Sequence, residues 1–214
     1  MEIRLIDRTQ LLALFTMLAA YLAGGFPTGV IVSRYLLGKD VRDFGSHNPG
    51  AVNVWRVFGL WWGFLVVFFD IGKGYLATAY LPVIAGNAAW SGFPALLGFL
   101  AVAGHIWSPY TGYRGGKGVG TIAGVALALH PSLALWAISI WCIVALTTRY
   151  SSLASLTAST AFPLLVWWKG DATLTELVTL FFIPIIVVLT HRTNISRLLA
   201  GRELKIGKSQ PYGG

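Results

Sequence analysis

Long apolar stretches separated by short polar segments make up most of this chain. Four stretches contain no aspartate, glutamate, lysine or arginine: Thr9–Ser33, Gly74–Tyr113, Gly118–Thr148 and Tyr150–Trp168. A helix that crosses a bilayer needs about 20 mainly apolar residues. A water-soluble fold of this length has too little interior to bury so much apolar chain, whereas a lipid bilayer solvates it. We therefore predict an all-α, polytopic membrane protein.

By this measure the sequence predicts seven transmembrane helices, at about Leu11–Leu37, Val57–Ala85, Trp90–Tyr110, Val119–His130, Ser132–Thr148, Leu153–Trp168 and Leu174–Thr190. A glycine- and proline-containing break at residues 24–29 interrupts the first, and the fourth is short, with Pro131 at the turn after it. The N-terminal segment also loosely resembles a cleaved signal peptide. We favour a retained, broken first helix, because the apolar pattern resumes at Val30 and continues to Leu37.

The distribution of lysine and arginine predicts how these helices are oriented, because cytoplasmic loops carry an excess of basic residues. One side of the predicted topology carries only Arg4, Arg8 and Lys169. The other side carries twelve basic residues: Arg34, Lys39, Arg42, Arg56, Arg114, Lys117, Arg149, Arg192, Arg197, Arg202, Lys205 and Lys208. We therefore expect the N-terminus outside and the C-terminus in the cytoplasm.

Composition excludes several classes of protein. The chain is 56% hydrophobic and carries a formal net charge of +8, with a single cysteine, Cys142, inside an apolar stretch. One cysteine excludes a disulfide framework. A nucleic-acid-binding domain would not distribute its arginines between membrane spans, so no nucleic-acid partner is expected. Residues 1–214 show no repeat, low-complexity tract or linker, which predicts one integral-membrane domain.

The first polar segment, residues 44–56, combines turn-forming residues with an arginine. Gly45 allows a left-handed backbone, and Asn48 is a candidate N-cap for a helix with Pro49 at its first position. Backbone N–H groups, a hydroxyl and side-chain amides at a helix N-terminus suit an anion. Arg56 adds a donor fork that matches phosphate oxygens. The alternative is a capped helix start with an anchoring arginine.

The second polar segment, residues 104–121, is rich in glycine. It is not a Walker A motif, because Gly112 is one residue too close to Gly116, and a glycine, Gly118, follows the lysine. It is not a dinucleotide fingerprint either, because the preceding segment is a predicted membrane helix rather than a strand. The remaining interpretation is a glycine-rich loop that approaches an anion closely, with Lys117 as a point charge. The alternative is a flexible turn with one basic anchor.

Two further polar segments lie on the same predicted side. The turn at 149–152 is explained by helix capping through a serine. The segment after the last span predicts a short surface helix at about 192–205, whose arginines would attract anionic lipid. His191 and Asn194 are three residues apart and would share one helix face, which could complete a polar site.

Few residues inside the apolar stretches suggest catalysis. Asp70 and Lys73 are three residues apart, and we interpret them as a structural ion pair. Cys142 is far in sequence from any histidine, and the histidines lack the spacing of metal ligands, so neither a thiol nucleophile nor a metal is expected. No cytoplasmic acid–base pair of carboxylates is evident. Cations, amides, hydroxyls and glycines at a membrane face together predict a phosphate-containing ligand.

The polar motifs, taken together, resemble a known enzyme family. They are Gly45-Ser46-x-Asn48-Pro49-Gly50-Ala51-x-Asn53-Val54-x-Arg56, Gly104-His105, Gly115-Gly116-Lys117-Gly118-Val119 and His191-Arg192-x-Asn194-Ile195-x-Arg197-Leu198-Leu199-x-Gly201-x-Glu203. With Pro27-x-Gly29, Asp70-x-x-Lys73-Gly74 and Arg149-Tyr150-x-Ser152, they cover nearly the whole chain. In this order they strongly resemble the bacterial acyl-phosphate:glycerol-3-phosphate acyltransferases. His47 departs from the pattern, since the family commonly has a small residue there.

The resemblance implies a multi-pass enzyme of the bacterial inner membrane whose active site faces the cytoplasm. It would transfer a fatty acyl group from acyl phosphate to the 1-hydroxyl of glycerol 3-phosphate, giving lysophosphatidic acid and phosphate, without a cofactor or metal. Membrane lipids and the soluble enzyme that makes acyl phosphate are the further partners expected. The implied catalytic residues are Ser46, Arg56, Lys117, His191 and Asn194. The implied substrate-binding residues are Gly45, Asn48, Asn53, His105, Gly115, Gly116, Gly118 and Ser152.

Two questions stay open at the level of sequence. The proton of the attacking hydroxyl could pass to a substrate phosphate oxygen, since no cytoplasmic carboxylate is evidently placed to accept it, or to His191. A transporter for an anionic phosphorylated solute would also use broken helices and glycine-rich loops near cations. Against a transporter, the polar groups collect at one membrane face and no inverted repeat is visible.

Overall fold

The computed structural model describes residues 7–86 and 90–207, and within them every regular element is helical. Two of the basic residues used to orient the chain, Arg4 and Lys208, lie outside the described residues. The α-helices are α1 Arg8–Gly25, α2 Thr28–Ile31, α3 Ala51–Phe58, α4 Leu60–Ala79, α5 Leu81–Ala85, α6 Phe93–Ile106, α7 Val119–Leu129, α8 Pro131–Thr148, α9 Ser151–Lys169, α10 Leu174–Thr190 and α11 Arg192–Leu199.

The seven predicted spans correspond to helical segments, but not all of these are long enough to cross a bilayer. By length and composition, three described segments qualify: Arg8–Leu36, Leu60–Ala85 and Pro131–Thr148. A fourth is added if α10 and α11, which are bent by 61° relative to each other, form one span. The eleven residues of α7 rise only about 16 Å, roughly half of the hydrocarbon thickness. The all-helical membrane class is confirmed, and the number of crossings stays a prediction.

Breaks in the helices divide two of the predicted spans. The predicted break in the first span is confirmed, since α1 ends at Gly25 and α2 begins at Thr28, followed by a π-helical turn at Val32–Leu36. The second break was not predicted. It lies at Gly59, whose φ of 102° is a conformation that favours glycine.

Three local predictions of capping and helix length are wrong. Asn48 does not cap α3, because the helix begins at Ala51, and the Asn48 Oδ1 instead accepts from the N–H of Gly50 at 2.9 Å within the preceding turn. No serine side chain caps α9, whose N-cap residue is Tyr150. The surface helix α11 ends at Leu199 rather than near residue 205.

Close helix packing depends on glycines that face a neighbouring backbone. A Cβ atom on Gly74 of α4 would overlap the carbonyl oxygen of Thr121 in α7, and one on Gly124 of α7 would overlap the carbonyl oxygen of Ile71. Small residues of this kind let helix backbones approach closely in membranes, where the hydrophobic effect between helices is weak. This contact holds α7 against α4 and so fixes the position of the loop that precedes α7.

The two neighbouring glycines of α4 give a matched test of this packing. Gly74→Ala should lower the free energy of unfolding by about 1–3 kcal/mol, the usual range for overpacking. Gly72→Ala should leave it unchanged or raise it slightly, because its Cβ atom has no neighbour within 4 Å and alanine favours the helix. Thermal unfolding of both variants in detergent measures the difference, and equal melting temperatures would contradict the packing argument.

Candidate active site

A cavity of about 520 Å³ opens at one end of the helix bundle, where polar loops meet the N-termini of α7 and α9 and the C-terminus of α10. It has two parts. The polar chamber includes Arg56, Lys117, Ser152, His191, Asn194 and Glu203, and the apolar arm includes Val67, Ala126, Ala134, Ile138, Ala158 and Phe162. Ten of the residues proposed from sequence line the cavity: Ser46, Asn48, Asn53, Arg56, His105, Lys117, Gly118, Ser152, His191 and Asn194.

Asn53 organises the first polar segment. Its side chain is 2% exposed, and its Nδ2 donates to the carbonyl oxygens of Val41 (3.2 Å) and Phe44 (3.0 Å). Its Oδ1 accepts from the backbone N–H of Ser46 (2.9 Å) and from Nη1 of Arg56 (3.2 Å). One buried amide thus places the hydroxyl and the guanidinium beside each other at the wall of the cavity.

Two residues of this segment shape the turn without lining the cavity. Gly45 has a φ of 60°, and a Cβ atom there would overlap Oδ1 of Asn53, so only glycine fits. His47 also has a left-handed φ, 58°, and its Nδ1 lies 2.9 Å from the carbonyl oxygen of Arg42. A left-handed conformation is costly for most side chains but less so for histidine. A glycine at position 47 would adopt this backbone geometry without steric cost.

The backbone N–H groups of the glycine-rich loop have other partners than the sequence predicts. The N–H groups of Gly115 and Gly116 donate to the carbonyl oxygens of Ile106 (3.0 Å) and His105 (3.1 Å) at the end of α6. Neither glycine lines the cavity, so the prediction that their N–H groups face an anion is wrong in this conformation. They instead let the loop lie directly on α6. Gly118 has a φ of 85°, is the N-cap residue of α7 and lines the cavity.

Lys117 belongs to a hydrogen-bonded chain that ends on a buried carboxylate. Its Nζ donates to Oδ1 of Asn194, whose Nδ2 donates to Oε1 of Glu203 at 2.6 Å. Glu203 also accepts from Oγ of Ser152 (2.8 Å) and from Nε of Arg197 (2.8 Å). A carboxylate that the sequence analysis does not assign to the site therefore lies within it.

Glu203 was missed as a site residue because its sequence surroundings look like an exposed, basic surface segment. The signal that could have identified it was its place in the motif that begins at His191. The sequence predicts that Arg197 attracts anionic lipid. In the structure Arg197 also lines the cavity, and its Nε donates to the carboxylate of Glu203. Asp70 was assigned only to an ion pair, yet it lines the cavity as well.

The polar chamber carries an excess of positive charge. Arg56, Lys117 and Arg197 line the cavity together with two carboxylates, Glu203 and Asp70, and Asp70 is paired with Lys73. Burial, reinforced by the charges of Arg197 and Arg56 and opposed by Glu203, lowers the pKa of Lys117 to about 8. Burial opposes ionisation of Glu203, but hydrogen bonds from its three donors outweigh this and lower its pKa. An anion is the ligand that would neutralise such a chamber.

His191, between α10 and α11, is 2% exposed and lines the cavity. Burial, and next the charge of Lys117, lowers its pKa to about 4, so the imidazole is neutral near pH 7. Its Nδ1 lies 2.9 Å from the carbonyl oxygen of Val187. A neutral ring must carry its proton on Nδ1 to donate there, which leaves Nε2 as an acceptor.

Behind the glycine-rich loop lies a buried ionic cluster. The predicted ion pair is present, with Nζ of Lys73 2.9 Å from Oδ1 of Asp70. Nδ1 of His105 lies 3.6 Å from the same oxygen, and a Cβ atom on Gly116 would overlap Nε2 of His105. Nζ of Lys73 also donates to the carbonyl oxygen of Phe26 at 3.0 Å. The cluster thus satisfies a backbone group freed by the break after α1 and supports the loop that carries Lys117.

Comparison with known proteins agrees with this arrangement. The family model described as "Glycerol-3-phosphate acyltransferase" matches residues 14–201. A glycerol-3-phosphate acyltransferase of Bordetella petrii is 39% identical, covering 88% of this chain and 90% of the relative. One from Shewanella oneidensis is 38% identical, covering 93% and 95%. One from Staphylococcus aureus is 39% identical, covering 89% and 96%.

Two solved structures share the fold. The glycerol 3-phosphate form of PlsY, an integral membrane glycerol 3-phosphate acyltransferase, has a TM-score of 0.84 and 37% identity, covering 91% of this chain and 96% of that chain. The lysophosphatidic acid form has a TM-score of 0.82 and 35% identity, covering 92% and 96%. The chain therefore belongs to the glycerol-3-phosphate acyltransferase family.

Proposed function

We propose that this protein transfers a fatty acyl group from acyl phosphate to the 1-hydroxyl of glycerol 3-phosphate at the cytoplasmic face of a bacterial inner membrane. The products are lysophosphatidic acid and phosphate. The observation that carries the proposal is a single cavity in which a positively charged polar chamber continues into an apolar arm. Such a cavity matches a phosphate group attached to an acyl chain.

The polar chamber supplies groups for two phosphates. Lys117 and Arg56 are cations within the cavity wall, and Gly118 brings the N-terminus of α7 to the same wall. A helix N-terminus and a cation favour phosphate oxygens together. The related structures, which are the glycerol 3-phosphate form and the lysophosphatidic acid form of PlsY, support an acceptor and a product of this class. Ser46, Asn48 and Ser152 add polar groups at the rim.

The reaction needs positioning and charge stabilisation more than a protein nucleophile. Acyl phosphate is a mixed anhydride, so the glycerol 3-phosphate hydroxyl attacks its carbonyl carbon, the new ester C–O bond forms, and the C–O bond to phosphate breaks. Holding hydroxyl and carbonyl together supplies proximity. Lys117 and Arg56 stabilise the oxyanion and the departing phosphate.

A substrate phosphate oxygen accepts the hydroxyl proton in this mechanism. Glu203 is an unsuitable base, because three donors occupy its oxygens and lower its pKa. It holds Asn194 and, through Asn194, Lys117. His191 has a pKa of about 4. It is therefore a weaker base than a phosphate dianion, because the monoanion formed by protonating that dianion has a pKa near 6. His191 lines the same cavity and in this mechanism contacts the substrates without taking the proton.

The membrane topology belongs to the same proposal, with seven crossings, the N-terminus outside and one domain over residues 1–214. Lys169 and Asp171, which form an ion pair of 2.6 Å between α9 and α10, then lie outside. An impermeant amine reagent added to intact cells should therefore label Lys169, and a reporter fused after Gly214 should be cytoplasmic. A Lys169→Arg variant controls for labelling elsewhere, and a cytoplasmic Lys169 would contradict the seven-crossing topology.

Activity of the purified protein tests the function directly. With acyl phosphate and glycerol 3-phosphate it should form lysophosphatidic acid and release phosphate. Lys117→Ala and Arg56→Ala should each lower kcat/KM by roughly 10- to 150-fold, since a hydrogen bond to a charged group contributes about 1.5–3 kcal/mol. Arg114→Ala is the matched control, because Arg114 is exposed in the same loop and lies outside the cavity lining.

The outcomes of this assay separate the alternatives. Folded Lys117→Ala protein with the wild-type rate would reject the assignment of the anion site. If the wild-type protein releases no phosphate and instead moves glycerol 3-phosphate into vesicles, the transporter interpretation replaces the enzyme.

The pH dependence of kcat/KM tests the proton path. Above about pH 8 Lys117 loses its proton, and with it the charge that binds phosphate, so kcat/KM should fall. On acidification kcat/KM should fall near pH 6, as the substrate phosphate is protonated. His191→Gln should keep both limbs and lose less activity than the 10²–10⁴-fold typical of a lost general base.

Two further variants complete this comparison. Lys117→Arg should move the alkaline limb to higher pH, because a guanidinium stays charged. Repeating His191→Gln in a His47→Gly background removes the His47 side chain from the comparison. Folded His191→Gln protein whose kcat/KM falls by about 10²-fold or more, and whose residual activity lacks the acidic limb, would establish His191 as the base.

A further inference from the structure

The apolar arm leads away from the polar chamber along α9. At its polar end Ser152 donates to Glu203, and Phe162 is the lining residue of α9 that lies farthest from Ser152. Phe162 is ten positions after Ser152 along the helix, a rise of about 15 Å. Small side chains, Ala134 and Ala158, also line the arm and leave room for an acyl chain. Phe162 is 2% exposed and is the only aromatic side chain of α9 in the described lining of the cavity.

The polar side chains of the arm make their hydrogen bonds within the protein. Ser155 Oγ donates to the carbonyl oxygen of Ser151 at 2.7 Å and accepts from Nε1 of Trp141 at 3.1 Å. Ser159 Oγ donates to the carbonyl oxygen of Leu156 at 3.2 Å. Because these donors are occupied, the arm presents a surface on which methylene groups can pack without burying an unsatisfied donor.

The closed end of the arm is fixed by an interaction that the chemistry does not use. The ring of Phe162 lies 6.4 Å from the ring of His130, at the junction of α7 and α8. His130 Nε2 lies 2.9 Å from Oε1 of Glu176 on α10, and both side chains are largely buried. α9, α10 and the α7–α8 junction therefore meet around Phe162, and its ring is 2% exposed, so neighbouring side chains hold it in place.

From this geometry we propose that Phe162 is the residue that limits acyl-chain length, by stopping the terminal methyl group of the donor at the end of the apolar arm. The inference rests on the proposed acyl transfer. Shortening the side chain at 162 lengthens the arm, and enlarging Ala158 shortens it. Each methylene that gains or loses a buried place changes the relative rate by about 4-fold, the equivalent of about 0.8 kcal/mol.

The test measures kcat/KM for saturated acyl phosphates that increase by two carbons at a time. Phe162→Leu should raise the rate with the donor two carbons longer than the wild-type optimum by roughly 10-fold, relative to that optimum. Ala158→Leu should move the optimum to shorter donors. Thr157→Leu is the matched control, because it places the same leucine side chain next to Ala158 but on the exposed side of α9, outside the cavity lining. Its optimum should equal that of the wild-type protein.

A binding measurement keeps this inference separate from the proposed reaction. Thermal stabilisation by lysophosphatidic acids of increasing chain length should reach its maximum at a longer chain in Phe162→Leu and at a shorter chain in Ala158→Leu. If no acyl transfer occurs but these maxima shift, the reaction is wrong and the chain-length stop holds. Unchanged maxima and unchanged rate profiles in the folded variants would reject Phe162 as the stop. If Phe162→Leu does not fold, Ala158→Leu decides alone.

Discussion

The carboxylate of Glu203 is the interaction on which the polar end of this protein depends. Its oxygens accept hydrogen bonds from Ser152 on α9 and from Asn194 and Arg197 on α11, and Asn194 in turn holds Lys117 before α7. A buried charge is stable only when it is paired and hydrogen-bonded. Loss of this one group would leave buried cations without a counter-charge and three helices without a shared contact.

That carboxylate also determines what the chamber can bind. Three cations face two carboxylates, Glu203 and Asp70, and Asp70 is already paired with Lys73, so an excess of positive charge remains in the cavity lining. A bound phosphate lowers the energy of this arrangement. The same cations stabilise the negative charge of a departing phosphate. Burial lowers the pKa of Lys117 to about 8, still above neutral pH. The excess positive charge therefore destabilises the empty chamber and strengthens its binding of an anion.

The apolar half of the cavity depends on a different constraint, the close approach of helix backbones. Gly74 and Gly124 bring α4 and α7 together so closely that no Cβ atom fits at either position. This contact places the short helix α7 beside α4, and the wall that α7 presents is made of small side chains such as Ala123 and Ala126. One packing interaction thus aligns the loop before α7 with the polar chamber and the body of α7 with the apolar arm.

The class of the protein and most of the residues that line its polar chamber could be predicted from the sequence alone. Hydropathy is a property of neighbouring residues along the chain, so the apolar stretches and the break after Gly25 could be predicted directly. The resemblance to a family gave the candidate roles of Arg56 and Lys117, and both line the cavity. These predictions depended on residues close together in sequence or on motifs already known.

The hydrogen-bond partners of these polar side chains could be identified only from the tertiary structure. Glu203 is 51 residues from Ser152, and Lys117 is 77 residues from Asn194, so no local pattern could reveal that they share one network. The N–H groups of Gly115 and Gly116 were assigned to an anion, but the end of α6 supplies acceptors for both. Likewise, Phe162 looks like any apolar residue in sequence, and it closes a cavity only because α7, α8 and α9 meet there. Hydrogen bonds and packing act over a few ångströms in space, whatever the separation along the chain.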